Sequence, residues 1–169
     1  MNPRLNRPLA KIILSLCLFV LLSIAGVSAI ATPALATDYS ERILKGADFS
    51  DQDLRDSKFE RADLTNSNFS HANLRGVSLF LAKLDGANLE GADLTFSIID
   101  TARFKNANLT NGIFEDALAY NAKFDGAIVD GADFTGVYFR RSTEKLLCKA
   151  AKGTNPVTGR KTRDTLPCD

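Results

Sequence analysis

Between Gly46 and Arg140 the chain repeats every five residues and never loses step. Large apolar side chains stand at Phe49, Leu54, Phe59 and Leu64, and the same spacing carries on to Phe124, Val129, Phe134 and Phe139. Two residues before each large position there is a small side chain, usually alanine, as at Ala47, Ala62, Ala72 and Ala92. Gln52, Val77 and Val137 are the departures. A period of five suits neither a helix, with its period of 3.6, nor a flat strand, with its period of 2. A helix would wind the large residues to all sides, and a strand would alternate them between two faces. A chain that turns a corner every five residues keeps one large and one small side chain inside on every side. Four corners close a square coil of about twenty residues, and such coils stack at a strand spacing of about 4.8 Å. Each coil then buries its core only against its neighbours, as in a solenoid.

Steps of twenty lay out the interior as four columns. The first is Phe49, Phe69, Leu89, Leu109 and Val129, and the second is Leu54, Leu74, Leu94, Phe114 and Phe134. The third is Phe59, Leu79, Ile99, Ala119 and Phe139, and the fourth is Leu64, Leu84, Phe104 and Phe124. Ala119 is the one hole, and its neighbours Leu118 and Tyr120 are unusually apolar for outward positions. No residue is inserted or deleted, so no bulging loop is expected.

The Ala-Asp/Asn-Leu/Phe-x-x pattern, as in Ala47-Asp48-Phe49, Ala72-Asn73-Leu74 and Ala92-Asp93-Leu94, resembles the pentapeptide-repeat family over about 95 residues. The resemblance implies an all-β solenoid, a right-handed quadrilateral β-helix of about five coils over residues 46–140. Its handedness comes from the resemblance and not from the spacing.

The flanks read differently. In residues 1–36, Arg4, Arg7 and Lys11 precede the uncharged, mostly apolar run Ile12 to Ala31, and Ala34-Leu35-Ala36 offers a small-x-small cleavage site. This predicts a signal peptide, removed together with Cys17, that leaves Thr37 as the new N-terminus and no stable membrane insertion. The run is also long enough to span a bilayer as a retained anchor. Residues 37–45 read as a partial coil or short helix covering the first open β edge. Residues 141–169 form the C-terminal cap. Within it, Ser142 to Lys152 is predicted as a short helix, capped by Ser142 or Thr143 and ended by Gly153. Leu146, Leu147 and Ala150 would lid Phe134, Val137 and Phe139. Residues 155–159 read as a turn. Cys148 and Cys168 are the cysteines that remain after the leader. In an oxidising compartment they are expected to pair as a structural disulfide, since catalytic pairs usually lie close together, as in C-x-x-C.

From Thr37 to Phe139 there are 17 acidic and 10 basic residues, and from Arg140 onward eight basic and three acidic. The coil is acidic and the tail basic. The close carboxylates Asp48, Asp51, Asp53 and Asp56 read as solvated repeat positions, with no His or Cys at a metal-ligand spacing. His71, the single histidine, faces outward without a nucleophile or carboxylate fixed beside it. The glycines mark corners rather than a phosphate loop. No catalytic, cofactor or metal residue is assigned, and the chain reads as non-enzymatic.

One outward feature stands apart. Ile98, Leu118 and Tyr138 are twenty residues apart, Tyr120 lies on the same face, and Phe80 is near one end. These are the partner-binding candidates, unless the tail folds back over them. The basic tail is a second contact candidate. The tail motifs Leu147-Cys148, Gly153 to Gly159, Thr162-Arg163 and Leu166-Pro167-Cys168 resemble those of the thylakoid-lumen pentapeptide-repeat proteins of cyanobacteria and chloroplasts. That resemblance implies a lumenal or periplasmic protein and supplies no catalytic residues. The reading is an exported structural or protein-interaction module of the thylakoid lumen or periplasm, with a protein partner and no nucleic acid. One alternative is a DNA-mimic topoisomerase inhibitor, as some other pentapeptide-repeat proteins are. The acidic faces fit it; the export signal and basic tail do not. The other alternative is a thiol-disulfide exchanger using Cys148 and Cys168.

Overall fold

A computed structural model describes residues 36–168. The expected signal peptide and Cys17 lie outside the described residues, apart from Ala36. The corners, apart from the one at Asn121, are built alike. The carbonyl of a large residue accepts the N–H of the small residue three positions on, as from Ala47 to Leu44 and from Ala62 to Phe59, both at 3.1 Å. The third residue of the turn takes a left-handed backbone, for example Asp51 (φ 56°), Asn66 (φ 58°) and Gly86 (φ 68°). This is the type II turn, which favours glycine or asparagine at that place. It explains why Gly, Asn and Asp recur there. Leu81 (φ 60°) and Phe96 (φ 59°) hold the same conformation with bulky side chains.

Between corners the chain runs straight for three residues, and the middle one pairs in parallel with the residue twenty positions on. These bridges run from Asp38↔Lys58 through Asp48↔Asn68 to Ile113↔Asp133. Each bridge carries two hydrogen bonds: the Phe49 N–H donates to the Asn68 carbonyl at 2.7 Å, and the Asn68 N–H donates to the Ala47 carbonyl at 2.9 Å. The middle residue points outward and its two neighbours point inward, which puts the large and small side chains together in the core. A slip of one residue would turn the whole apolar set to solvent.

The columns stack as the steps of twenty require. The Phe49 and Phe69 rings lie 4.9 Å apart and the Phe104 and Phe124 rings 5.1 Å apart, both nearly parallel. Neighbouring columns meet edge to face, as Phe59 does with Phe69 at 5.7 Å. Both geometries suit aromatic quadrupoles. On the first side the outward residues form their own ladder. Asn108 Nδ2 donates to Asn88 Oδ1, Asn88 Nδ2 to Asn68 Oδ1, and Asn68 Nδ2 to Asp48 Oδ1, at 3.0, 3.2 and 3.1 Å. The segment 37–45 holds bridges of the same kind, Asp38↔Lys58 and Ile43↔Asp63, and contains no helix. The Tyr39 ring stacks 4.7 Å from Phe59, so this segment is coil rather than a separate lid.

The C-terminal helix, α1, spans Arg141–Ala150 with Arg140 as its N-cap residue and no side-chain cap. Ser142 and Thr143 therefore lie inside α1 rather than capping it. The helix also stops before Gly153, because the chain must lie down on the last coil there. Lys152 offers its carbonyl to the Gly131 N–H at 2.8 Å, and a Cβ on Gly153 would stand 2.9 Å from that same nitrogen. The lid is shared. Leu147 of α1 is fully buried, Asn155 Nδ2 donates to the Gly131 and Asn111 carbonyls at 2.9 and 3.1 Å, and Thr165 Oγ1 accepts the Phe134 N–H at 3.0 Å. A disulfide joins Cys148 to Cys168, with their Cα atoms 5.6 Å apart.

Candidate interaction face

The third side carries Lys58, Ser78, Ile98, Leu118 and Tyr138 as its outward residues, and the repeat departs from its own rules toward the C-terminal end of that side. The core position there is Ala119, with Phe139 one coil further on. The Phe139 ring leans edge-on against Phe124 and Phe134, at 5.7 and 5.6 Å. The last bridge on this side is Ile98↔Leu118, whereas the first and second sides run on to Ile128 and Asp133. Among the described residues, no backbone hydrogen bond joins the Leu118 strand to Tyr138. Asn121 is alone among the corner residues in not being left-handed. Its N–H turns back one coil and donates to the Asp100 carboxylate at 2.7 Å, and its side-chain amide donates to the same group at 3.1 Å. Burial pushes the Asp100 carboxyl up, but the bonds from Asn121 and Thr101 outweigh it and hold the group below the ordinary aspartate range.

These departures coincide with the apolar surface. Of the nine large hydrophobic residues exposed among the described residues, six lie on this side or its two corners: Leu81, Phe96, Ile98, Leu118, Tyr120 and Tyr138. Tyr138 is 82% exposed and Leu118 61%, so the described tail does not fold back over them. All four candidates, Ile98, Leu118, Tyr120 and Tyr138, line one cleft of about 500 Å³ with Phe80, Asp100 and Asp116. Two exposed rings already carry a guanidinium: Arg140 lies over Tyr120 at 5.4 Å and Arg75 over Phe96 at 5.6 Å. Sequence reasoning missed Phe96 and Leu81. The signal was a bulky residue at the corner position where Gly, Asn or Asp recurs.

The other candidates sit elsewhere. The disulfide borders a separate shallow cleft with Arg141, Lys145 and Lys149. The basic tail is partly spent on the coil. Arg160 reaches Asp133 and Glu115, each at 2.7 Å, and Lys152 reaches Asp130 at 3.2 Å. Asp133 is fully buried; burial pushes its carboxyl up, but bonds from Thr135, Thr158 and Arg160 hold it below its usual range. His71 is exposed, with its ring against Gly91. Asp48 and Asp53 bond to Ser50 and Arg55 within their own corners. Among the described residues, no group of three or more His, Cys, Asp or Glu is placed to hold a metal ion, and no helix is long and apolar enough to cross a membrane.

The pentapeptide-repeat family model matches residues 43–79, 82–111 and 102–141, in eight copies. The chain belongs to the pentapeptide-repeat family. Its coil is the right-handed quadrilateral β-helix of that family. The chain is similar to a crystal structure of a pentapeptide-repeat protein from the Arabidopsis thaliana thylakoid lumen, with 42% identity and a TM-score of 0.76, covering 78% of this chain and 91% of that one. It is also 51% identical over 41 residues to the Arabidopsis thylakoid lumenal 15 kDa protein 1, chloroplastic. That match covers 24% of this chain and only 18% of the curated relative's length. Both relatives are thylakoid-lumen proteins, and this chain is an exported pentapeptide-repeat protein of the same lumenal type.

Proposed function

We propose that the mature chain is a non-enzymatic interaction module: a rod of about five coils, capped by its C-terminal segment, that presents its third side to a protein partner. The observation that carries this reading is the concentration of six exposed large hydrophobic residues on one side and its corners. Exposed apolar surface of this kind marks contact sites, and aromatic residues dominate the energetics of such sites. The rigid scaffold supports it, since Ile98 and Leu118 are fixed by parallel bridges to the coil before them. Two of the six are also bulky residues in a left-handed backbone, a conformation costing about 1–2 kcal/mol per residue, and strain of this kind collects at functional sites. The chain acts after removal of residues 1–36, and the Cys148–Cys168 pair holds the tail in place rather than exchanging electrons.

The test is a crosslinking pull-down from a lumenal fraction with the mature chain and with a Leu118→Asp/Tyr138→Asp variant of the same melting temperature. A protein recovered by the first and lost by the second supports the reading. Recovery of the same proteins by both overturns it.

A further inference from the structure

We propose that the third-side cleft takes a polypeptide segment that is both apolar and basic. Its apolar side chains lie along Ile98, Leu118 and Ala119, and its arginine or lysine sits at the Asp116 carboxylate and the Tyr138 ring. The proposal rests on the reading that this side meets a protein, and it specifies the chemistry of what is met.

The charge pattern of the cleft carries the inference. Asp100 and Asp116 are the charged residues that line it. Asp100 is occupied by Asn121, at 2.7 and 3.1 Å. Asp116 is exposed and makes no ion pair among the described residues. Of the three exposed aromatic residues on this side, Phe96 and Tyr120 each hold a guanidinium of this chain over the ring, while Tyr138, the most exposed at 82%, holds none among the described residues. A negative charge and an electron-rich ring thus border one apolar-walled cleft, each without a cation from among the described residues. A cation there gains from both, because apolar walls strengthen the charge interaction and the ring face attracts it.

The same pattern selects against other occupants. An acidic segment would be repelled by Asp116. An acyl chain would satisfy the apolar walls and leave Asp116 facing hydrocarbon. A second copy docking through the same side brings an Arg140 and an Arg75 already engaged, the first over Tyr120 and the second over Phe96 and paired with Asp93 at 3.1 Å, while its exposed Lys58 lies three coil steps of twenty residues from Leu118. The row from Ile98 to Tyr138 is two coil steps, roughly 10 Å. That length matches a few residues of extended chain or about two turns of helix.

A random-peptide library selected on the mature chain, with Leu118→Asp/Tyr138→Asp as the counter-selection, tests this. Enriched peptides should combine apolar residues with arginine or lysine. Their affinity should drop about tenfold in Asp116→Asn, a charge-to-neutral change in a charged contact. Asparagine already occupies the same left-handed corner at Asn66, Asn106 and Asn111, so this variant keeps its fold. Enrichment of acidic or uncharged peptides, affinity unmoved by Asp116→Asn, or no enrichment at all overturns the proposal. Self-association of the chain that Tyr138→Asp abolishes also overturns it. The outcomes separate the two readings. Peptides that bind the counter-selected variant equally sink the interaction face itself, whereas peptides that need Leu118 and Tyr138 but ignore Asp116 sink only the basic segment.

Discussion

The carboxylate of Asp100 accepts the backbone N–H of Asn121, one coil and one residue further on, at 2.7 Å. Two and three coils earlier this donor goes to a backbone carbonyl, from Leu81 to Asp100 at 3.3 Å and from Arg61 to Phe80 at 2.9 Å. One side chain has replaced a rung of the ladder. Asp100→Ala leaves that N–H without a partner beside an apolar cleft and should lower stability by about 1–3 kcal/mol. Asp100→Asn keeps an acceptor and should cost less. Urea unfolding of the three chains gives the comparison, and equal midpoints would show that the bond carries nothing.

Acid should loosen the tail before it unravels the coil. The Asp133 carboxyl is held below its ordinary value of 3.8 in the folded protein. A depressed folded value means the stabilisation is complete above the unfolded value and is lost as pH falls through the folded one. Docking of the tail through Arg160 should therefore be unchanged from neutral pH down to about pH 5, and should weaken only below the ordinary aspartate range. Arg160→Ala should cost about 1–3 kcal/mol at neutral pH by leaving the Asp133 carboxylate underpaired, and should flatten the acid limb. Hydrogen exchange at the Phe134 and Gly131 amides, both bonded to the tail, follows this directly.

Two phenylalanines should answer in opposite ways. Phe124 meets the Phe104, Phe134 and Phe139 rings at 5.1, 6.2 and 5.7 Å and is buried. Phe124→Ala should cost about 3–5 kcal/mol. Phe96→Gly loses a cation–π contact of roughly 0.5–1 kcal/mol. It also relieves a left-handed bulky residue, worth about as much or more. Thermal melts should place Phe96→Gly within about 0.5 kcal/mol of the parent or above it. A large loss would mean that the ring serves the fold rather than the surface.

Opening the disulfide should act on the tail alone. Cys148 and Cys168 close a loop of 20 residues, for which the chain-entropy model gives about 3 kcal/mol. Cys148→Ser/Cys168→Ser should leave the circular dichroism of the coil in place while proteolysis begins within residues 152–168. Retained protease resistance of the tail would show that Asn155, Thr165 and Leu166 suffice.

The interior was legible in the sequence because it obeys one rule of spacing. Every column from Phe49 to Phe139 falls where steps of twenty put it, since nothing but the inward pattern sets the register. The corners were half legible. Glycines announced them, but the left-handed Phe96 and Leu81 did not, because a bulky side chain in a turn looks like an ordinary outward residue until its backbone is seen. Asn121 could not be read at all, since its departure depends on a carboxylate twenty-one residues earlier. The helix boundaries were misplaced at both ends. Ser142 is a good cap by type, yet the chain leaves the coil at Arg140 and bends early enough to seat Leu147. The exposed row of Ile98, Leu118 and Tyr138 was visible as spacing, but whether the tail covered it rested on tertiary structure.

The constant step of twenty residues makes chain length act as a rotary index. A five-residue duplication between Gly46 and Leu74 would keep a rung at every step, with new partners across the insertion, and swing the Leu118 and Tyr138 face a quarter turn about the rod relative to the N-terminal coils. A twenty-residue duplication would move that face outward by one coil spacing and keep its bearing. A one-residue insertion fits neither move and must break the core. Such a protein can be re-aimed in units of five and lengthened in units of twenty, without altering a single contact at the surface it presents.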